Sequence, residues 1–184
     1  MPQAVTHILF PILLISIFRD FYLRKNEKKK FPLHYVLIAG IGGVLPDIDI
    51  IISIFLNLFS LSNWNVHKTL THSIFFPLVF IILFLILKPI KANAKICNLT
   101  RHNLKLSTVF LMLAIGTIIH ISLDSIFGEQ AFFLYPFSSK DYGINIVGFI
   151  NNDIQGFIIP SLDGILLVIW LIYLELKHKI SDFI

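Results

Sequence analysis

The chain is poor in charge and almost without cysteine. Its 184 residues include 11 acidic and 15 basic side chains, so 14% are charged, against roughly a quarter in soluble domains. With 56% hydrophobic residues and a mean hydropathy of +0.82, that shortage excludes an ordinary soluble domain. A single cysteine, Cys97, excludes an intramolecular disulfide and says nothing about redox compartment; in a basic loop it reads as an inert thiol. There is no internal repeat and no low-complexity tract beyond the short basic run RKNEKKK. The absence of His-Glu-x-x-His argues against an intramembrane metalloprotease. An isoelectric point of about 9.2 does not make this a nucleic-acid binder. The basic residues form no single stripe and gather instead in connectors between apolar runs, as in a polytopic membrane protein.

About 20 apolar residues cross the hydrocarbon core, and the stretches 5–22, 33–59, 72–88, 106–127 and 156–176 are long enough. The expected fold is all-α: a polytopic membrane protein, one membrane-embedded helical domain over 1–184, with a bundle of about five transmembrane helices. One span should be interrupted, because Pro46 removes a backbone donor inside 33–59. The first stretch does not read as a cleavable signal peptide, since its positive charge follows the apolar run as Arg19, Arg24, Lys25 and Lys28 to Lys30. All of the 15 basic residues except Lys68 and Lys140 fall in 19–32, in 88–105 or after the last span. The positive-inside rule makes that side cytoplasmic, with the N-terminus outside the cell membrane and the C-terminus inside. The RKNEKKK run then reads as a solvated turn that touches anionic headgroups.

Against this apolar background stand His7, Asp47 and Asp49 of LPDID, His72 closing HKTLTH, and His120 and Asp124 of HISLD. Ionisable groups at membrane depth are costly unless paired, hydrated or bound to a cation, which makes them functional candidates. At a rise of about 1.5 Å per residue, Asp47, His120 and Asp163 lie about 20 Å from the cytoplasmic ends of their spans, and His7, His72 and Asp124 about 24–27 Å. In a core about 30 Å thick they share the outer third. His120 and Asp124 are four apart and present one helix face. Carboxylates as close as Asp47 and Asp49 repel unless a proton or cation intervenes.

Local signals agree with a site in that layer. Ala39 and Gly43 form a small-xxx-small pair that admits a neighbouring helix. Thr71 is expected to cap the third span and hold His72 on its first turn. Imidazole nitrogen with carboxylate oxygen suits zinc, manganese or iron, with zinc foremost and one or two ions. Each residue has a plainer alternative: an interhelical hydrogen bond for His120 and Asp124, a helix end for the aspartates, a headgroup contact for His7. Asp163 is expected to orient a ligand from behind. Glu129 and Asp153 read as solvated, and His34, His102 and His178 as interfacial or solvated on the cytoplasmic side. The aromatic connector 128–155 is either a lid on the interface or a packed loop.

The same residues also fall into a family pattern. HILFP, GGVLPDID, HKTLTHS, HISLD followed by FG, LYPFS and SLDG occur in that order, and together they resemble the YdjM-like family of membrane-bound metal-dependent hydrolases over essentially the whole chain. Carried over position by position, the resemblance implies His7, Asp47, Asp49, His67, His72, His120 and Asp124 as metal ligands. Lys68 stands where that family is expected to have arginine, which keeps the charge and loses the bidentate fork. A more distant similarity, resting on the His-x-x-x-Asp pair, points to zinc-dependent phospholipase C and its single-strand nuclease relatives. Their later histidine-rich segment is missing, which argues against a full trinuclear zinc site.

The leading expectation is a membrane-bound metal-dependent hydrolase with its site near the extracytoplasmic face. A lipid or lipid-linked ester or phosphoester is the natural substrate, because the site layer lies beside those groups of the bilayer. Asp47 or Asp49 would act as general base or bridging ligand, and Lys68 would meet a substrate phosphate. Two other classes compete. A non-catalytic protein with a structural metal would have a closed, fully coordinated site. A cation transporter should carry polar residues past the midplane, yet the cytoplasmic halves of the spans are nearly pure Ile, Leu, Phe and Val.

Overall fold

In the computed structural model of the protein, the described residues are 4–24, 27, 31–59, 69–90, 93–94, 104–127 and 132–179. The apolar runs form helices. Helix α1 (Ala4–Ile17) continues through a π-helical turn, Phe18–Tyr22. Helices α2 (Leu33–Gly42) and α3 (Ile48–Leu58) flank a 3-10 turn, Leu45–Asp47. A second 3-10 turn, Leu70–His72, leads into α4 (Phe75–Leu87). Helices α5 (Leu106–Phe127) and α6 (Asn152–His178) complete the bundle. Among the described residues, extended pairing is confined to β1 (Asn93–Ala94) against β2 (Leu104–Lys105), antiparallel.

Among the described residues, three helices are long and apolar enough to cross a bilayer unbroken, over Ala4–Tyr22, Leu106–Phe127 and Ile154–Lys177. The α2–α3 pair is bent by 42° at the predicted interruption and brings the number to four if the pair is one span. Pro46 lies in that break, where its missing N–H leaves a gap in the helical ladder. The expected third span is shorter than its apolar run. Helix α4 holds 13 residues, about 20 Å of rise against a core of about 30 Å. The count of five full spans is therefore not reached by length. The lost turn is Leu70–His72 and the extended Ser73, which depart from the helix and carry His72 inward. Thr71 does not cap α4, whose N-cap position is Ile74.

Small residues set how closely the helices meet. A Cβ at Gly43 would lie 2.0 Å from the carbonyl oxygen of His7, and one at Gly116 would lie 2.2 Å from that of Ala39. Helix α2 thus touches α1 on one side and α5 on the other, backbone against backbone, as the small-xxx-small pair predicts. Tyr35, Val36 and Ala39 of α2 form the core with Ile12, Ile15 and Met112. Helix α6 docks on α1 through Leu166 against Leu9 and Leu13. The described part of the 128–155 connector is tied to its neighbours by backbone: Ile74 N–H donates to Phe133 O at 2.9 Å and Ile144 N–H to Ser125 O at 2.7 Å.

Candidate metal centre

Four segments converge at one end of this bundle. His7 lies on the first turn of α1, and Asp47 closes the turn after Pro46. Asp49 lies on the first turn of α3, His72 ends the turn before α4, and His120 and Asp124 lie one turn apart on α5. His7, Asp49, His72, His120 and Asp124 are buried, whereas the Asp47 side chain keeps 25% of its surface exposed.

The innermost contacts join four atoms. His120 Nε2 is 3.2 Å from His72 Nε2, 3.2 Å from Asp124 Oδ2 and 3.5 Å from Asp47 Oδ1. His72 Nε2 is 3.4 Å from Asp124 Oδ2 and 3.6 Å from Asp47 Oδ1. A tetrahedral zinc with bonds of about 2.0–2.1 Å holds its ligands about 3.3–3.4 Å apart. The five measured separations bracket that spacing, so the residues present could hold a metal ion.

The hydrogen bonds around the imidazoles say which nitrogen faces inward. His120 Nδ1 is 2.7 Å from Gly43 O, a carbonyl that only accepts, so the ring proton is assigned to Nδ1 and the lone pair to Nε2. His72 Nδ1 is 3.2 Å from Thr71 Oγ1 and 3.4 Å from Asp49 Oδ2. Thr71 Oγ1 already donates to Asp49 Oδ2 at 2.8 Å, so the proton between His72 and this pair belongs to Nδ1. His72 Nε2 then also presents a lone pair. With both imidazoles neutral, two lone pairs and two carboxylate oxygens meet with no donor among them. Buried acceptors in such an arrangement repel unless a proton or a cation lies between them.

A second set of contacts lies behind the first. His7 Nε2 is 3.1 Å from Asp124 Oδ1, so the Asp124 carboxylate has one oxygen toward each of two histidine groups. The His7 ring stacks on His120 with centroids 3.8 Å apart, and its Nδ1 finds no hydrogen-bond partner among the described residues. Two overlapping triads can each hold an ion, His7–His120–Asp124 and Asp47–His72–His120. Asp163 does not touch the cluster directly. Its Oδ1 accepts from the backbone N–H of Thr6 at 3.0 Å and from the Thr6 hydroxyl, which fixes the residue before His7.

Of the residues singled out in the sequence, His67, Lys68, Glu129 and His102 lie outside the described residues, as do the side chains of Asp153 and His178. The structure brings His7, Asp47, His72, His120 and Asp124 together, and sets Asp49 on the outer nitrogen of His72. Three contributors carried little or no signal in the sequence: the Gly43 carbonyl that orients His120, the Thr71 hydroxyl bound to Asp49, and Gly116, whose bare α-carbon lets α5 close on α2.

The model of the YdjM inner membrane protein family matches residues 1–179. The chain belongs to this family. Every described element from α1 to α6 falls inside the matched region, so membership covers the whole cluster. The family and the apolar helices together make this a multi-pass protein of the cell membrane, with His/Asp groups that could hold a metal ion. Comparison with curated proteins and comparison with solved structures each found no match.

Proposed function

We propose that this YdjM-family protein is a membrane-bound metal-dependent hydrolase, acting near the extracytoplasmic face on an ester or phosphoester of a lipid or lipid-linked substrate. One observation carries the reading: the inward nitrogens of His72 and His120 lie 3.2 Å apart, and each lies 3.2–3.6 Å from Asp47 Oδ1 and Asp124 Oδ2. The spacing and the mixed nitrogen and oxygen donors support zinc. When bound, such an ion supplies Lewis acidity and lowers the pKa of water to about 7.

The protein's own groups supply the rest. Gly43 O and the Asp49–Thr71 pair hold the two imidazoles in the tautomer that ligates, the usual work of groups behind a metal ligand. Asp124 offers its second oxygen to His7, which supports an additional ion between them. Asp47 alone among these residues keeps an exposed edge, so it is assigned to meet incoming water or substrate, as a general base or as a ligand that yields its position. Lys68 is assigned to a substrate phosphate on its charge. The skew of basic residues supports an external N-terminus, which would set the centre beside the outer headgroups.

Four protein donors gathered about His120 Nε2 also favour a closed structural site as the second reading. Asp47 separates the two. Metal content and turnover on a panel of lipid esters and phosphoesters are measured for wild type and Asp47→Ala. A hydrolase keeps metal on the remaining three donors in Asp47→Ala and loses turnover. A structural site loses metal in that variant, and its wild type turns over no member of the panel. Wild type purified without stoichiometric metal would overturn both. A cation path is not supported: among the described residues of α5, the buried side chains on the far side of Thr117 are Ala114 and Met112.

A further inference from the structure

A groove of about 600 Å³ lies between α1 and the α2–α3 break and has Asp47 of the metal centre in its wall. Its volume falls within the roughly 300–1,000 Å³ of small-molecule sites. Ile8 and Ile12 of α1, Leu37 and Ile41 of α2, and Ile51 of α3 line it, and Asp47 is the one polar side chain in its wall. That aspartate is the same one whose Oδ1 lies 3.6 and 3.5 Å from the inward nitrogens of His72 and His120. Leu37, Ile41 and Ile51 are exposed, so the groove opens sideways onto a face of large aliphatic side chains. Leu37 lies about 15 Å of helical rise from Asp47.

An occupant of this groove must therefore be apolar along most of its length and polar where it meets Asp47. A compact polar molecule would leave its hydrogen-bonding groups without partners against the aliphatic walls. A wholly apolar molecule would gain nothing from Asp47 and no more from the walls than from lipid tails, which are as apolar as leucine. The geometry points to a binding site for one fatty acyl chain of a membrane phospholipid, lying along Leu37, Ile41 and Ile51 with its ester and phosphate groups at Asp47. The inference rests on the hydrolase reading and names the class of substrate that the reading calls for.

The test uses wild-type protein in phosphatidylglycerol vesicles whose acyl chains carry a photoreactive diazirine, with labelled residues mapped by mass spectrometry. Leu85 of α4, similarly exposed at 56% and outside the groove, reports ordinary contact with the bilayer. Labelling at Ile41 and Ile51 is expected several-fold above Leu85. Ile41→Trp and Leu37→Trp should each lower labelling at Ile51 toward the Leu85 level while the protein stays monodisperse and keeps its metal. His120→Ala loses turnover under the hydrolase reading but leaves the groove intact, so its labelling should persist; this separates acyl binding from chemistry. Equal labelling at Ile41, Ile51 and Leu85 overturns the acyl site. Wild-type turnover of a water-soluble phosphoester with no groove labelling does the same, and leaves the hydrolase standing. Displacement of the acyl probe by a polyprenyl phosphate overturns the acyl assignment in favour of an isoprenoid.

Discussion

The two ends of the bundle hold their ionisable side chains in opposite ways. About 20 Å along the first helix from His7, Arg19 Nη1 lies 2.8 Å from Asp20 Oδ1 and Arg19 Nε donates to Phe31 O at 3.0 Å. The Tyr173 hydroxyl donates to the other Asp20 oxygen, and Lys177 sits 4.4 Å above the Phe21 ring. Donors face acceptors throughout that group, so it is satisfied as it stands. At the opposite end, His72 and His120 as neutral imidazoles and Asp47 and Asp124 as carboxylates offer acceptors to one another. Both are clusters of charged and polar residues in an apolar bundle. Only the second is incomplete without a positive charge among its atoms. The balance of donors and acceptors, more than proximity, separates an ion pair that stabilises a fold from a centre that binds something.

The largest effect should follow from removing the residue at the middle of the unbalanced cluster. His120→Ala deletes the nitrogen that contacts three of the other donors and the ring on which His7 stacks. Stoichiometric metal should be lost on purification, by more than the roughly 10–100-fold that removing an outer partner costs. Metal analysis of monodisperse protein measures it, and undiminished metal content would remove the reason for distinguishing the two ends.

Next in size is Gly43→Ala, which adds no ligand and removes none. Its Cβ would lie 2.0 Å from His7 O, so α1 and the α2–α3 break must move apart. The same residue's carbonyl holds His120 Nδ1 at 2.7 Å, so the shift reaches two histidines at once. Overpacking of this kind costs about 1–3 kcal/mol. A lower melting temperature together with weaker metal binding is expected. A lower melting temperature with unaltered metal binding would show that the centre tolerates displacement of both elements.

Asp49→Asn should act on the metal through His72 alone. The asparagine keeps the volume but loses the charge that favours the proton on His72 Nδ1, and metal affinity should fall about 10–100-fold. Titration with zinc against a competing chelator reads the change. A loss as large as that of His120→Ala would mean that Asp49 moves onto the ion itself.

The helices and the membership of the cluster were legible because both follow from free-energy costs visible in one dimension. An apolar run of membrane length must be helical, and an ionisable residue inside one must find a partner. The different positions of Asp47 and Asp49 were not legible. Residues two apart on a regular helix point about 200° away from each other, but the 3-10 turn at Leu45–Asp47 changes that rotation by an amount that sequence does not encode. Thr71 misled because capping is a local preference, and here a partner 22 positions earlier, Asp49, took the hydroxyl instead. The shortened α4 has the same origin: turning His72 into the bundle costs the span its first turn. Gly116 gave no signal because a glycine in an apolar helix acquires its role only when the facing helix is known, here at Ala39.

The smallest expected effect on the metal lies at the satisfied end, where the comparison can still fail. Asp20→Asn leaves Arg19 with the Phe31 carbonyl and leaves Tyr173 with a weaker acceptor. The Arg19 and Asp20 side chains are 16% and 9% exposed, so the lost charge-assisted bond should lower stability by about 1.5–3 kcal/mol, less whatever the residual exposure screens. Metal content should not change, because about 20 Å of packed helix separates Asp20 from His7 and no charged chain connects them among the described residues. Thermal unfolding in detergent and metal analysis of the same sample give both numbers. If Asp20→Asn released metal while remaining folded, the two ends would be coupled through α1, and the donor–acceptor balance of each cluster could no longer be treated as its own property.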